Sequence, residues 1–355
     1  MKGHFRIFAA LLALSLCLGL AACGAQTPAA PAQSEDEPAA GTAPAEASAE
    51  PEPAPASVTL PGLSRPVEMA EGPAAKSYPY IIQTEYAVWH LSADDMELLG
   101  AEAYCEGLER ILKDQDADFA DARELLRPWL QEEIPPIDIY TDFSGHAEGD
   151  EIFGAIYRGP NRDIRLFHDW EMAGRSLLHE YVHYLSITCT DRPASEGLFR
   201  EGVAEYVSNF ACRNRMIRTA ALNSQSEAVA EMGRYNLLDE DGAVDPARLY
   251  LFNAELIRSD AALGSVYNTI TNAVMTRDER INRNPSPTTI SYFEAGSMIA
   301  YLVETCGEEQ VFGHWDQDPS ALAEVFGRDF AELYWDWADW NRAKCAELGI
   351  LMPEN

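Results

Sequence analysis

From Gly24 to about Lys76 the chain is built almost wholly of Ala, Pro, Glu and Ser, as in Pro28-Ala29-Ala30-Pro31 and Pro51-Glu52-Pro53-Ala54-Pro55. A stretch so poor in aromatic and branched residues buries too little apolar surface to offset the entropy of ordering it. Residues 23–76 therefore read as an extended tether, and the folded body is confined to residues 77–355. From Tyr78 onward apolar and charged residues mix, and there is no internal repeat. Hydrophobic residues make up 47% and charged residues 24% of the chain, enough for one large domain or two small ones. The charge balance is less ordinary: 58 Asp and Glu against 26 Lys and Arg give a net charge of −32. Such a surface repels phosphate backbones, and no basic cluster with interleaved aromatics offsets it, so nucleic acid is not an expected partner.

The N-terminus has the layout of an export signal. Lys2 and Arg6 precede an apolar run, Ile7 to Leu20, that is short for a bilayer span, and small residues follow. The run ends in Leu20-Ala21-Ala22-Cys23-Gly24, which resembles the bacterial lipobox. That resemblance implies a signal peptide over residues 1–22, cleavage before Cys23 and lipidation of that cysteine. Acyl chains contribute about 0.8 kcal/mol per buried methylene, so the expected location is the bacterial cell envelope, lipid-anchored and facing outside the cytoplasm. The alternative is an ordinary secretory signal with an incidental cysteine.

In the body, Tyr80 to Leu91 reads as a strand from its branched and aromatic content. Ser92-Ala93-Asp94-Asp95 reads as a helix cap, opening a helix to about Lys113, with a second over Phe119 to Gln131 stopped by Pro135-Pro136. Short strands are expected at Ile137 to Thr141, Ile152 to Arg158 and Ile164 to Phe167, and only helices after Trp170. The fold class expected is α+β. A β-containing subdomain, residues 77–188, ends in a helix bearing His179 and His183, and a mostly helical subdomain, residues 189–355, follows.

His179-Glu180-Tyr181-Val182-His183 lies in a segment without proline, Trp170 to Ile187. Positions four apart share a helix face, so both imidazoles can reach one cation while Glu180 leans over an open coordination position. A zinc ion that activates water needs a third protein ligand, and a carboxylate from a neighbouring helix is one solution. The segment Leu198-Phe199-Arg200-Glu201-Gly202-Val203-Ala204-Glu205-Tyr206-Val207, after a loop with Pro193 and Gly197, offers Glu201. Glu205, one turn on, could accept a hydrogen bond from the non-coordinating nitrogen of a zinc-bound histidine; otherwise it is a solvated acid in a very acidic protein.

These two segments resemble the gluzincin metallopeptidases, the group of thermolysin, aminopeptidase N and the bacterial collagenases. The resemblance implies that His179, His183 and Glu201 bind Zn2+ and that Glu180 is the general base. The 17 residues between His183 and Glu201 are one fewer than aminopeptidase-like members usually have. A further stretch, Ser291-Tyr292-Phe293-Glu294-Ala295-Gly296-Ser297, resembles the helix that in relatives carries a tyrosine aimed at the scissile carbonyl, with its glycine shifted by one position. Tyr292 is thus either a donor to the oxyanion or a core tyrosine. The implied activity is zinc-dependent hydrolysis of peptide bonds, with a peptide or protein substrate and a membrane contact through the lipid. By fold analogy, substrate would add along a sheet edge within Gly154 to Tyr157 or Ile164 to Phe167. The competing reading is a catalytically silent lipoprotein of the same fold that binds a peptide or surface partner. A transporter's binding lipoprotein would instead alternate strands and helices throughout.

Other residues have blander readings. His168 reads as a helix-start residue or one that backs a metal ligand, and His146 and His314 as surface residues. Trp335, Trp337 and Trp340 fit packing better than sugar stacking. Asp239-Glu240-Asp241-Gly242 lacks the alternating oxygens of a calcium loop. Beyond Cys23 the exported chain keeps Cys105, Cys189, Cys212, Cys306 and Cys345. A bond between Cys189 and Cys212 would pin the two motif helices together.

Overall fold

A computed structural model describes residues 57–144, 154–167, 169–218, 227–259, 290–318 and 321–353. Cys23, the signal segment, most of the tether, His146 and His168 lie outside them. The sheet begins earlier than composition implies. Ser57–Val58 (β1) and Val67–Met69 (β2) pair antiparallel, and Val67 and Leu63 are buried in the core. Residues 57–69, read from the sequence as tether, thus join the sheet, because two short strands need only a few apolar residues once a sheet edge receives them.

Tyr80–Gln83 (β3) and Ala87–Leu91 (β4) form a hairpin where the sequence reads as one strand. The Thr84 hydroxyl accepts from the Ala87 amide at 3.2 Å and closes the turn. Ile137–Thr141 (β5), Ala155–Arg158 (β6) and Asp163–Leu166 (β7) complete one mixed seven-stranded sheet in the order β1-β2-β3-β4-β5-β7-β6. The β4–β5 and β5–β7 pairs are parallel and the rest antiparallel. Strand alternation sets the faces. Ala87, Trp89, Leu91, Ile137, Ile139, Ile164 and Leu166 point to the core. His90, Asp138, Tyr140 and Arg165 line the other face, where His90 bonds Asp138 at 2.7 Å and stacks on Tyr140 at 4.2 Å. The Arg165 guanidinium lies over Tyr140 and donates to the Tyr78 hydroxyl at 2.6 Å.

Ser92 caps Ala93–Leu99 (α1) by accepting from the Asp95 amide. Gly100, at φ 81°, then breaks what the pattern reads as one helix and starts Ala101–Leu126 (α2), which absorbs most of the second expected helix. Tyr104 of α2 bonds Thr141 of β5 at 2.8 Å. Trp170–His183 (α3) packs on α2, β6 and β7. Beyond it the described elements are helical, apart from an isolated bridge between Leu238 and Val244: Leu198–Glu205 (α4), Glu227–Arg234 (α5), Pro246–Ser259 (α6), Tyr292–Cys306 (α7), Glu308–Phe312 (α8), Leu322–Phe326 (α9) and Phe330–Glu347 (α10). The protein is therefore mixed α and β: the seven strands all precede α3, with α1 and α2 between β4 and β5. One apolar cluster nevertheless runs from Leu63 to Ile350, across the 188/189 subdomain boundary read from the sequence. Among the described residues no helix is long and apolar enough to cross a membrane.

Three expectations about side chains meet the structure differently. Trp337 is buried and donates to Ser297 at 3.0 Å, Trp340 reaches Glu304, and Trp335 is exposed. Asp239 accepts from the amides of Asp241 and Ala243 and pairs with Arg218, as a turn residue does. The Cys189–Cys212 bridge does not form, and both thiols are free. Cys189 lies against Tyr184, whereas Cys212 lies among Asp118, Asp121 and Arg215, and its thiol is pushed up to about 12 by burial and those acids.

Candidate metal centre

Asp169 starts α3 by accepting from the amides of Glu171 and Met172, satisfying two of the helix's free donors. Its period then sets His179 and His183 one turn apart with their rings 4.5 Å apart and nearly perpendicular. Immediately after His183 the helix widens into a π turn, Tyr184–Thr188. The same happens after α4, where Tyr206–Ala211 forms a π turn directly beyond Glu205. Such turns are frequent at functional sites.

The second half of the site depends on how closely α4 lies against α7. Gly202 of α4 sits where a Cβ would come within 2.8 Å of Ile299, and Gly296 of α7 where one would come within 2.7 Å of the Glu205 Cβ. These two missing side chains let the helices touch and deliver Glu201 and Glu205 to the histidines. They also account for the displaced glycine of the α7 motif, since Gly296 is the residue that Glu205 passes.

All five charged or imidazole groups are buried: His179, Glu180, His183, Glu201 and Glu205 are each no more than 4% exposed. Glu201 Oε2 is 3.4 Å from His179 Nε2 and 3.3 Å from His183 Nε2. Glu180 also offers a ligand atom within 4.8 Å of those of both histidines. The two carboxylates are distinguished by their other bonds. Glu180 Oε2 accepts the amide of Tyr157 on β6 at 2.6 Å, whereas Glu201 Oε2 and both ring nitrogens of His179 and of His183 are buried polar atoms without a hydrogen bond. Buried polar atoms are ordinarily paired, so three of them converging mark a place for a cation. The two distances from Glu201 agree: a tetrahedral ion with ligands at about 2.0–2.1 Å has edges of about 3.3–3.4 Å. His179, Glu180 and His183 thus form a buried group that could hold a metal ion, and Glu201 lies against both imidazoles.

The fields follow from the geometry. Burial alone would depress the His179 imidazolium, but the carboxylates of Glu205 and Glu201 outweigh it and raise the group well above its ordinary value. For Glu201 burial acts upward, yet His183 and His179 pull the carboxyl down to about 2. Burial raises Glu180, countered only in part by the two imidazoles and the Tyr157 amide, which moves it toward the range a general base needs.

Glu205 lies beside the centre as the helix spacing implies, with Oε1 3.2 Å from His179 Nδ1. Tyr292 is the first residue of α7, after a capping box in which Ser291 and Glu294 exchange backbone bonds. Its ring is 6.3 Å from that of His179 and 2% exposed, so it stands near the centre and in the core at once. Of the two expected substrate strands, β7 lies between β5 and β6 and has both edges paired, while β6 is the terminal strand. The groups around Glu205, Asn209 and Tyr250, were not apparent from the sequence. Asn209 was visible one turn after Glu205, but Tyr250 had no motif to mark it. No family model matches this chain, and no curated protein matches it either.

Proposed function

We propose that this protein is a zinc metallopeptidase of the gluzincin type, anchored outside the cytoplasm by a lipid on Cys23, that hydrolyses peptide bonds. The observation that carries this reading is the single oxygen of Glu201 set almost equidistant from the Nε2 atoms of His179 and His183 among buried side chains, with Glu180 alongside. Glu201 arrives on a separate helix packed beside the His179–His183 helix, as the resemblance implies.

His179, His183 and Glu201 would hold zinc, which supplies a Lewis acid that acidifies a water and polarises the scissile carbonyl. Glu180 takes the proton of the attacking water and passes it to the departing amine. Tyr292 donates a hydrogen bond where negative charge gathers on the former carbonyl oxygen. Extended peptide adds to the outer edge of β6, the strand whose Tyr157 amide already holds Glu180, so that substrate and base share one support.

The test is mass-spectrometric cleavage profiling of the protein lacking its first 23 residues against a diverse peptide library, beside Glu180→Gln and His183→Ala. Wild type cuts; Glu180→Gln keeps its zinc and loses about 10²–10⁴-fold in rate, the range for removing a general base. His183→Ala loses both zinc and cleavage. Folded, zinc-loaded wild type that makes no cuts would sink the peptidase reading and favour the peptide-binding one.

A further inference from the structure

Glu205 uses its two oxygens differently. Oε1 lies 3.2 Å from His179 Nδ1, a charge contact without hydrogen-bond alignment in this structure, at the nitrogen across the ring from the one that faces Glu201. Oε2 accepts from Asn209 Nδ2 at 2.8 Å and from the hydroxyl of Tyr250. Asn209 comes from the π turn beyond α4 and Tyr250 from α6, so donors on two separate elements converge on one oxygen. Both residues are fully enclosed, at 2% and 1% exposure.

The pocket is shaped for this convergence. The Tyr250 ring is fixed between Phe293, with centroids 4.9 Å apart, and Phe210 at 5.9 Å. A Cβ at Gly296 would meet the Tyr250 ring at 3.4 Å as well as the Glu205 Cβ, so the same glycine admits both partners. Asn209 also donates to the Glu205 carbonyl at 3.2 Å, which ties its side chain to the helix that carries the carboxylate. A phenylalanine at position 250 would fill the same space; what the tyrosine adds is a hydroxyl aimed at a buried carboxylate.

We propose that Tyr250 and Asn209 are positioning residues of the metal centre, clamping Glu205 Oε2 so that Oε1 stays against His179 Nδ1. A carboxylate held there keeps the imidazole proton on Nδ1 and leaves the Nε2 lone pair turned toward Glu201 and His183. The inference rests on the metal-centre reading above and extends it to a part of the fold with no motif. Neither residue touches the ion or the substrate, so their effect passes entirely through Glu205 and His179.

The experiment compares the exported protein, Tyr250→Phe, Asn209→Ala and Glu205→Gln. Zinc affinity is read by competition with a chromophoric chelator, the ligand field by the absorption of the cobalt(II)-substituted protein, and stability by thermal melting of the metal-free form. Outer partners of a ligating histidine typically carry 10–100-fold in metal affinity. Each variant should therefore bind zinc about tenfold or more weakly with displaced cobalt bands, Glu205→Gln at least as much as the other two. Wild-type affinity and cobalt spectra in both Tyr250→Phe and Asn209→Ala would overturn the assignment. So would lower melting of the metal-free protein with unchanged affinity, which is the result a purely structural role gives. Wild type that takes up no zinc overturns the metal-centre reading itself, a result distinct from variants that match a metal-binding wild type.

Discussion

The two helices that carry the site are held in place by different means. On α3 the spacing between His179, Glu180 and His183 is a property of the helix itself, and the helix lies on β6, β7 and α2. On α4 the position of Glu201 and Glu205 relative to those histidines depends on a neighbouring helix, through Gly202 and Gly296. Moving α3 as a body would leave the histidine pair intact, whereas moving α4 by an ångström would separate Glu201 from both Nε2 atoms. A site assembled this way has a half that tolerates repacking and a half that does not.

That contrast can be broken most severely at α7. Gly296→Val puts a branched side chain into the Glu205 backbone path, and overpacking of this kind costs about 3 kcal/mol. The expected result in a denaturant titration is a fall of that size with loss of zinc uptake. Gly174→Ala on α3 should cost far less, because the atoms it meets are side-chain ends, that of Met216 at 2.7 Å and that of Ile111 at 3.2 Å. Equal losses at the two glycines would erase the distinction.

A smaller effect is expected at the ion pair that ties α2 to the segment after α4. Asp118 accepts from the Arg215 amide and guanidinium, and burial raises its carboxyl to about 6 even though Arg215 pulls it down. The folded state then binds a proton more tightly than the unfolded state, where Asp titrates near 3.9. This group's contribution is fully present below about pH 4 and is lost as pH rises through about 6, by about 2–3 kcal/mol in all. Stability of Asp118→Asn measured from pH 4 to 7 should lack that decline. An identical pH profile in the two proteins would remove Asp118 as its source.

The smallest effect belongs to the start of α3. Asp169→Ala removes the acceptor for the amides of Glu171 and Met172 and should cost about 1 kcal/mol, with zinc affinity unchanged, because the cap lies more than two turns from His179. A large loss of affinity there would mean that α3 does not hold its histidines independently.

Much of this was legible in the residues. The cap at Ser92, the periodicity of Trp170 to His183, the short strands at Ile137 and Ile164 and the pairing of His179 with His183 are local patterns, each decided within one or two turns. What was misread was decided by distant partners. Ser57 to Met69 looks like tether until a sheet edge pairs it, and Tyr80 to Leu91 looks like one strand until Thr84 turns it. Cys189 and Cys212 look like a pair only while their neighbours are unknown.

By itself the sequence determined which side chains share a helix face, because the 3.6-residue period is local and needs no partner. It therefore determined the histidine pair and the presence of Glu180 beside them. Only the tertiary structure decided that Glu201 meets both histidines, that Glu205 is clamped by Asn209 and Tyr250, and that Tyr157 holds Glu180. The meetings of Glu201 with the histidines and of Glu205 with Tyr250 join residues far apart in the chain, and they depend on the close approach of α4 to α7; that of Tyr157 with Glu180 depends on the packing of α3 on β6.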